Sequence, residues 1–216
     1  FAESKGCSNL KKWDIAYYSE RLKEERYSYN EEEVKPYFSL QKVLDGVFGV
    51  ATQLYDLSFK KVTNFPTYAS SIDVYEVYDK NKNFLSLLYL DLFSRETKKQ
   101  GAWMTAYIEQ GFQFGETLRP HIGIVCNFTA GVGTDPTLLT WNDVITLFHE
   151  FGHALHGMLS NCKYKYLSGT NVYWDFVELP SQIMENWARQ VDCLKSFAKH
   201  YKTGKDIPTE LIEKII

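Results

Sequence analysis

The sequence predicts an α+β fold, mostly helical, with a small, mainly antiparallel sheet between two helical parts. Three observations carry this expectation. Apolar residues recur at helical spacing through residue 57. From residue 58 the chain changes to Val- and Tyr-rich runs broken by turn residues. From Thr140 the helical period returns. A period near 3.6 buries one stripe of a helix, and a period of two buries one face of a strand. The 216 residues thus divide into 1–57 (helical), 58–135 (small sheet) and 136–216 (helical again). That length fits one large domain or two small ones.

In chain order, Trp13, Ile15, Ala16, Tyr17, Tyr18 and Leu22 are spaced as on a helix over residues 13–29. The acidic run Glu31, Glu32, Glu33 reads as a solvated helix end or turn, and Pro36 breaks the pattern. Ser39 is placed to cap a second helix that buries Leu40, Val43, Leu44, Val47, Ala51 and Leu54. "IDVYEVYD" (72–79) and "FLSLLYLDLF" (84–93), joined by the turn "NKN" (81–83), read as a strand pair. "HIGIVCNFT" (121–129) is a further strand. Thr140 to Asp143 has the form of a capping box, opening a helix with an apolar face at Val144, Leu147, Phe148, Phe151, Leu155 and Met158. A last helix is expected from Asp175 to about His200, buried along Val177, Ile183, Met184, Trp187, Val191 and Leu194.

Composition excludes several classes. Hydrophobic residues make up 44%, enough for a core and too many for a disordered chain. The formal charge of −3 argues against a nucleic-acid partner held by charge. No apolar run approaches the roughly 20 residues of a membrane span. Aromatics reach 16%, which points to large buried clusters or an aromatic-lined groove. Cys7, Cys126, Cys162 and Cys193 are scattered, without a C-x-x-C pair, as free thiols of a reducing compartment. A cytoplasmic location follows. The chain has no starting Met and stops at "IEKII" as a helical pattern begins, so it reads as a piece of something longer.

The chemistry concentrates in "HEFGHALH" (149–156), which holds three of the five histidines. Residues four apart on a helix stand about 6 Å apart along the axis on one face. His149 and His153 can therefore aim two imidazoles at one ion, leaving positions for a third ligand and a water. Glu150, about a third of a turn away, can sit beside the metal without binding it and take a proton. A bare H-E-x-x-H also arises by chance in helices, so a third ligand matters. His156 lies roughly 10 Å along the axis from His149, too far for one small ion, and reads as an outer-sphere or structural residue. "WDFVELPSQIMENW" (174–187) offers Glu178 and Glu185, on a polar stripe with Gln182 and Arg189. On pattern alone such a stripe is more often a solvated face. Pro180 singles out Glu178, because proline belongs near a helix start.

"LFHEFGHALH" followed by "WDFVELPSQIMENW" closely resembles the thimet-oligopeptidase-like zinc metallopeptidases. The resemblance extends to "DVYEVYD", "YLDLFSRETKKQGAWM" and "CNFT", and so covers the chain from Trp13 onward. It implies a zincin-like catalytic core in which an H-E-x-x-H helix packs against a Glu-bearing helix. It implies one Zn2+ per chain, held by His149, His153 and Glu178, with Glu150 as general base. It implies hydrolysis of short peptides. The Ser168-Gly169-Thr170-Asn171 run is most similar to the branch that releases C-terminal dipeptides, with oligopeptide endopeptidase as the alternative. Asn171 and Gln182 are candidates to orient ligand side chains from outside the ligand set, and Gly123 with the 121–129 strand to hold a peptide by strand addition. Family members are about three times longer, and their substrate-gripping Tyr and His residues lie beyond this chain. The three segments then form one partial catalytic domain of a longer peptidase, weak or inactive by itself. A non-catalytic metal-binding or structural fragment is the rival reading.

Overall fold

The computed structural model describes residues 1–27 and 30–216. A first helix, α1 (Ile15–Tyr27), is followed by the short α2 (Glu31–Val34). The expected 13–29 helix thus corresponds to α1, and its last two residues lie outside the described residues. The Glu31–Glu33 run forms the first turn of α2, capped by the Asn30 side chain, which accepts from the Glu32 N–H. Negative charge is favoured there by the exposed N–H groups of a helix start.

Helix α3 (Leu40–Tyr55) buries Val43, Leu44, Val47, Val50 and Ala51. Leu54, expected inside, is exposed. Ser39 holds the N-cap position, but its side chain makes no capping hydrogen bond. Instead its backbone bridges to Leu138, and Leu139 N–H donates to the Phe38 carbonyl at 2.8 Å. A tertiary pairing has taken the place of the local cap.

The strands are β1 (Ser58–Val62), β2 (Asp73–Tyr78), β3 (Phe84–Phe93), β4 (Trp103–Ile108), β5 (Gly111–Gln113), β6 (Glu116–Leu118) and β7 (His121–Phe128). Five form one sheet in the order β1-β2-β3-β7-β4, while β5 and β6 make a separate hairpin. The sheet is largely antiparallel, as expected; β3 and β7 are its parallel pair. The β2–β3 turn is held by Asp79, whose carboxylate accepts from the backbone N–H groups of Asn81 and Asn83, each at 2.8 Å. Parallel neighbours need a long connection. Here β4 and the β5–β6 hairpin supply it, and the chain returns as β7 between β3 and β4. Strand β7 is therefore internal and β4 is an edge.

One face of the sheet packs on α3 and on α4 (Trp141–Met158). Leu88, Leu90, Ile122, Ile124, Cys126 and Phe128 from the sheet meet Phe148, Phe151, Leu155 and Met158 from α4 in one core. The capping box of α4 forms as its sequence predicts: Asp143 N–H donates to Thr140 Oγ1 and Thr140 N–H to Asp143 Oδ2, each at 3.0 Å. At the other end, Arg119 donates to the carbonyls of Met158 (2.7 Å) and Ser160 (3.1 Å), satisfying acceptors the last turn leaves open.

The C-terminal region corrects the single helix expected over 175–200. It forms α5 (Trp174–Val177), α6 (Leu179–Ala188) and α7 (Val191–Phe197), followed by α8 (Thr209–Ile215). Pro180 in the first turn of α6 has no N–H to continue the preceding helix. Gln190, with ψ 130°, ends α6 in an extended conformation. The buried face also differs. Ser181, Met184 and Ala188 face inward, whereas Ile183, Trp187 and Val191 are exposed. Among the described residues no helix is long and apolar enough to cross a membrane.

Beyond β3 a buried ion pair fixes the chain on its way to β4. Lys98 Nζ donates to the Asp91 carboxylate (3.0 Å), the Asp91 carbonyl (2.7 Å) and the Phe93 carbonyl (2.8 Å). Arg95 reaches the same carboxylate through two nitrogens. Burial works against the charged form of Asp91, but the hydrogen bonds from Arg95, Lys98 and Tyr68 outweigh it and hold the carboxyl below its ordinary range. A depressed folded-state pKa contributes stability above the unfolded value of about 3.9, lost as pH falls through the folded value. Asp91→Asn should lower unfolding free energy by about 3–5 kcal/mol at neutral pH, because it leaves Lys98 buried without its counter-charge. Urea titration at pH 7 and at pH 3 tests this: the gap between wild type and variant should shrink at the lower pH.

Candidate metal centre

Helix α4 brings His149 and His153 to one face, with ring centroids 4.9 Å apart and planes at 82°. Glu178 lies between α5 and α6, at the N-cap of α6. Its Oε2 stands 3.2 Å from His149 Nε2 and 3.1 Å from His153 Nε2. The three donor atoms lie within 4.8 Å of one another and could hold a metal ion.

This meeting depends on Gly152. A Cβ at that position would come within 2.5 Å of the Pro180 carbonyl oxygen and of Ser181 Cα. Both are backbone atoms that cannot swing aside. The missing side chain lets α6 press onto α4 one residue from His153. Ser181, fully buried, then donates its hydroxyl to Glu178 Oε2 and to the Glu178 carbonyl, each at 2.8 Å. That hydrogen bond, first among several influences, holds the Glu178 carboxyl below its ordinary range.

Glu150 is 6% exposed, and among the described residues its Oε2 has no hydrogen-bond partner. Burial pushes its carboxyl above the usual range, opposed by His149 and by the Met104 backbone amide of β4. Burial also lowers the pKa of His153, favouring the neutral ring that a metal requires. The donor set and the buried Glu150 carboxylate thus stand together beside the edge strand.

The residues expected around the ligands are placed differently. Asn171 does not orient a ligand: its amide donates to Glu109 Oε1 at 2.9 Å, away from the cluster. Gln182 is exposed and reaches the cluster through its backbone N–H, which donates to the Glu178 carbonyl at 2.9 Å. His156 packs edge-on against Phe176, with its Nδ1 buried and unpartnered. Gly123 lies in the internal strand β7 beneath the Tyr107 ring, so it offers no open edge to a peptide.

Two other residues contact the cluster instead. Ser181 holds Glu178, and Glu185 Oε1 stands 2.7 Å from His149 Nδ1. The spacing Glu178, Ser181, Glu185 is the signal that marks them: steps of three and four along one helix face.

The H-E-x-x-H helix thus meets a second helix that supplies a carboxylate to a candidate metal-binding cluster. The sequence profile of peptidase family M3 matches residues 1–216, and the chain belongs to that family. It is 42% identical to the dipeptidyl carboxypeptidase of Escherichia coli K12, over 99% of this chain and 31% of that protein. It is 41% identical to oligopeptidase A of Salmonella typhimurium, over 98% of this chain and 31% of that protein. The organellar oligopeptidase A of Arabidopsis thaliana is 41% identical, over 100% of this chain and 29% of that protein. The chain spans about a third of the length of these relatives.

Gly152→Ala should separate α4 from α6. Overpacking at such a contact costs about 1–3 kcal/mol, and here the obstructing atoms are backbone. The expected outcome is a lower thermal midpoint together with weakened Zn(II) binding, read by calorimetry and by metal titration of the same preparation. Unchanged values for both would show that the helices have room to spare.

Proposed function

We propose that this chain is the zinc-binding part of a zincin-like peptidase that hydrolyses short peptides. In this reading His149, His153 and Glu178 hold one Zn2+, and Glu150 is the general base. The observation that carries it is the convergence of three donor atoms within 4.8 Å beside a buried carboxylate oxygen that has no hydrogen-bond partner among the described residues. The residues fit the ion. Tetrahedral bonds of about 2.0–2.2 Å put neighbouring donor atoms roughly 3.3–3.6 Å apart, a few tenths of an ångström beyond the 3.1 and 3.2 Å between the Glu178 oxygen and the two imidazole nitrogens.

Bound there, zinc supplies Lewis acidity that acidifies water and polarises a carbonyl group. The chain's own residues do the rest. Glu150 takes the proton from the attacking water and returns it to the leaving amine. Its burial raises its proton affinity, which suits a group that must both accept and release. Strand β4 pairs with β7 on one side; its other edge can receive an extended peptide as an added strand, with backbone hydrogen bonds giving affinity. In this reading the peptide-holding edge is β4 rather than the 121–129 strand.

Removal of C-terminal dipeptides is the preferred reaction, supported by the Ser168–Asn171 run. The second reading, endopeptidase action, draws on the 41% identity to oligopeptidase A. A peptide with an amidated C-terminus separates them: a peptidyl-dipeptidase should leave it intact, and an endopeptidase should cut it. The residues act as one partial catalytic domain in this reading. The four cysteines are free, which supports a reducing compartment, here the cytoplasm.

Two substitutions test the site. Glu150→Gln should keep zinc after exhaustive dialysis, at about one ion per chain by elemental analysis. In the full-length protein it should lower kcat about 10²–10⁴-fold. Glu178→Gln should weaken Zn(II) binding by more than the roughly 10–100-fold typical of an outer-sphere partner. A wild-type chain that is folded yet takes up no zinc would sink the reading.

A further inference from the structure

We infer that Glu185 is a positioning residue for the metal centre: its carboxylate accepts the His149 Nδ1–H, fixes the ring tautomer and presents Nε2 to the ion. This rests on the zinc reading above. Glu185 Oε1 stands 2.7 Å from Nδ1, while Nε2 of the same ring stands 3.2 Å from Glu178 Oε2. The two nitrogens occupy different corners of the imidazole, and their lone pairs point apart. Glu185 therefore lies behind the ring, outside the ligand set, although the sequence offered it as an alternative third ligand.

A neutral imidazole carries one proton. With that proton on Nδ1 and directed at a carboxylate, the Nε2 lone pair is left for the metal. The carboxylate also raises the electron density of the ring and strengthens it as a donor. Behind Glu185, Arg189 Nη2 stands 3.9 Å from the second carboxylate oxygen, on the next turn of α6. Helix α6 therefore supplies a ligand at Glu178 and, seven residues on, the group that aims another ligand.

The two histidines are held differently. His153 has a side chain 11% exposed, and among the described residues its buried Nδ1 has no hydrogen-bond partner, so packing rather than a hydrogen bond holds the back of this ring. The His149 side chain is 27% exposed, and its Nδ1 is held by Glu185 at 2.7 Å. The more exposed ring, with more rotational freedom to lose, is the one given a carboxylate.

The test measures Zn(II) affinity by chelator competition in wild type, Glu185→Ala and Glu185→Gln, and detects the His149 ring proton by ¹⁵N–¹H correlation in the zinc-loaded chain. Glu185→Ala should weaken zinc binding about 10–100-fold and abolish the slowly exchanging Nδ1–H signal. Glu185→Gln keeps an acceptor oxygen and should fall between the two in affinity. Thermal unfolding of the zinc-free proteins reports any general loss of stability, which would leave the ring signal of the surviving folded molecules unchanged. Wild-type affinity in folded Glu185→Ala overturns this inference alone, as does a His149 ring protonated on Nε2. Failure of the wild-type chain to bind zinc overturns the metal reading itself, and the inference with it.

Discussion

The close approach of α4 and α6 at Gly152 is the contact on which the site depends. Hydrogen bonds act over about 3 Å and metal ligation over about 2 Å, so two helices that share a site must be held at a fixed, short separation. Any side chain at residue 152 would meet the Pro180 and Ser181 backbone at 2.5 Å. With glycine there, Glu178 Oε2 falls within 3.2 Å of both imidazoles. Ser181 and Glu185 arrive on the same helix face. Pro180 contributes from the opposite partner, because it ends the α5 turn and lets Glu178 sit at a helix start rather than within a continuous helix.

The burial of α6 follows from that arrangement. A helix in a core ordinarily turns its largest apolar residues inward. Here Ile183 and Trp187 are exposed, while Ser181 is buried and Glu178 and Glu185 turn to α4. Such an orientation leaves apolar side chains exposed, while the polar groups find specific partners across the helix pair. The capping box of α4, the Arg119 clasp on its last carbonyls and the sheet beneath it keep the other half of the site rigid.

Much of this was legible in the residues. The strand pair with its Asn-rich turn, the last strand before the glycines, the start of α4 and the H-E-x-x-H face all depend on neighbours within a few positions. What escaped the sequence depended on distant ones. Strand β4 and the β5–β6 hairpin lack a strong alternating pattern; β4 is half-exposed at the sheet's edge, so little burial is imprinted on it. The 121–129 strand read correctly as a strand, yet its internal place in the sheet arises from pairing with residues tens of positions away. The stripe of Glu178, Gln182, Glu185 and Arg189 was visible, but its facing was not, because periodicity gives an angle between residues and no absolute direction.

The sequence by itself determined the donor set: two histidines four apart, a glutamate beside the first and a second glutamate well downstream, at Glu178. Helical geometry alone makes His149 and His153 neighbours, so their pairing needs no tertiary information. The tertiary structure decided which carboxylate meets which nitrogen. Glu178 and Glu185 are the same residue type on the same helix face, and only the crossing of α6 over Gly152 sets one against the Nε2 atoms and the other against Nδ1 of His149. Local spacing fixes angles along one helix; the distance between two helices is fixed by what fills the gap, and here a missing Cβ fills it least.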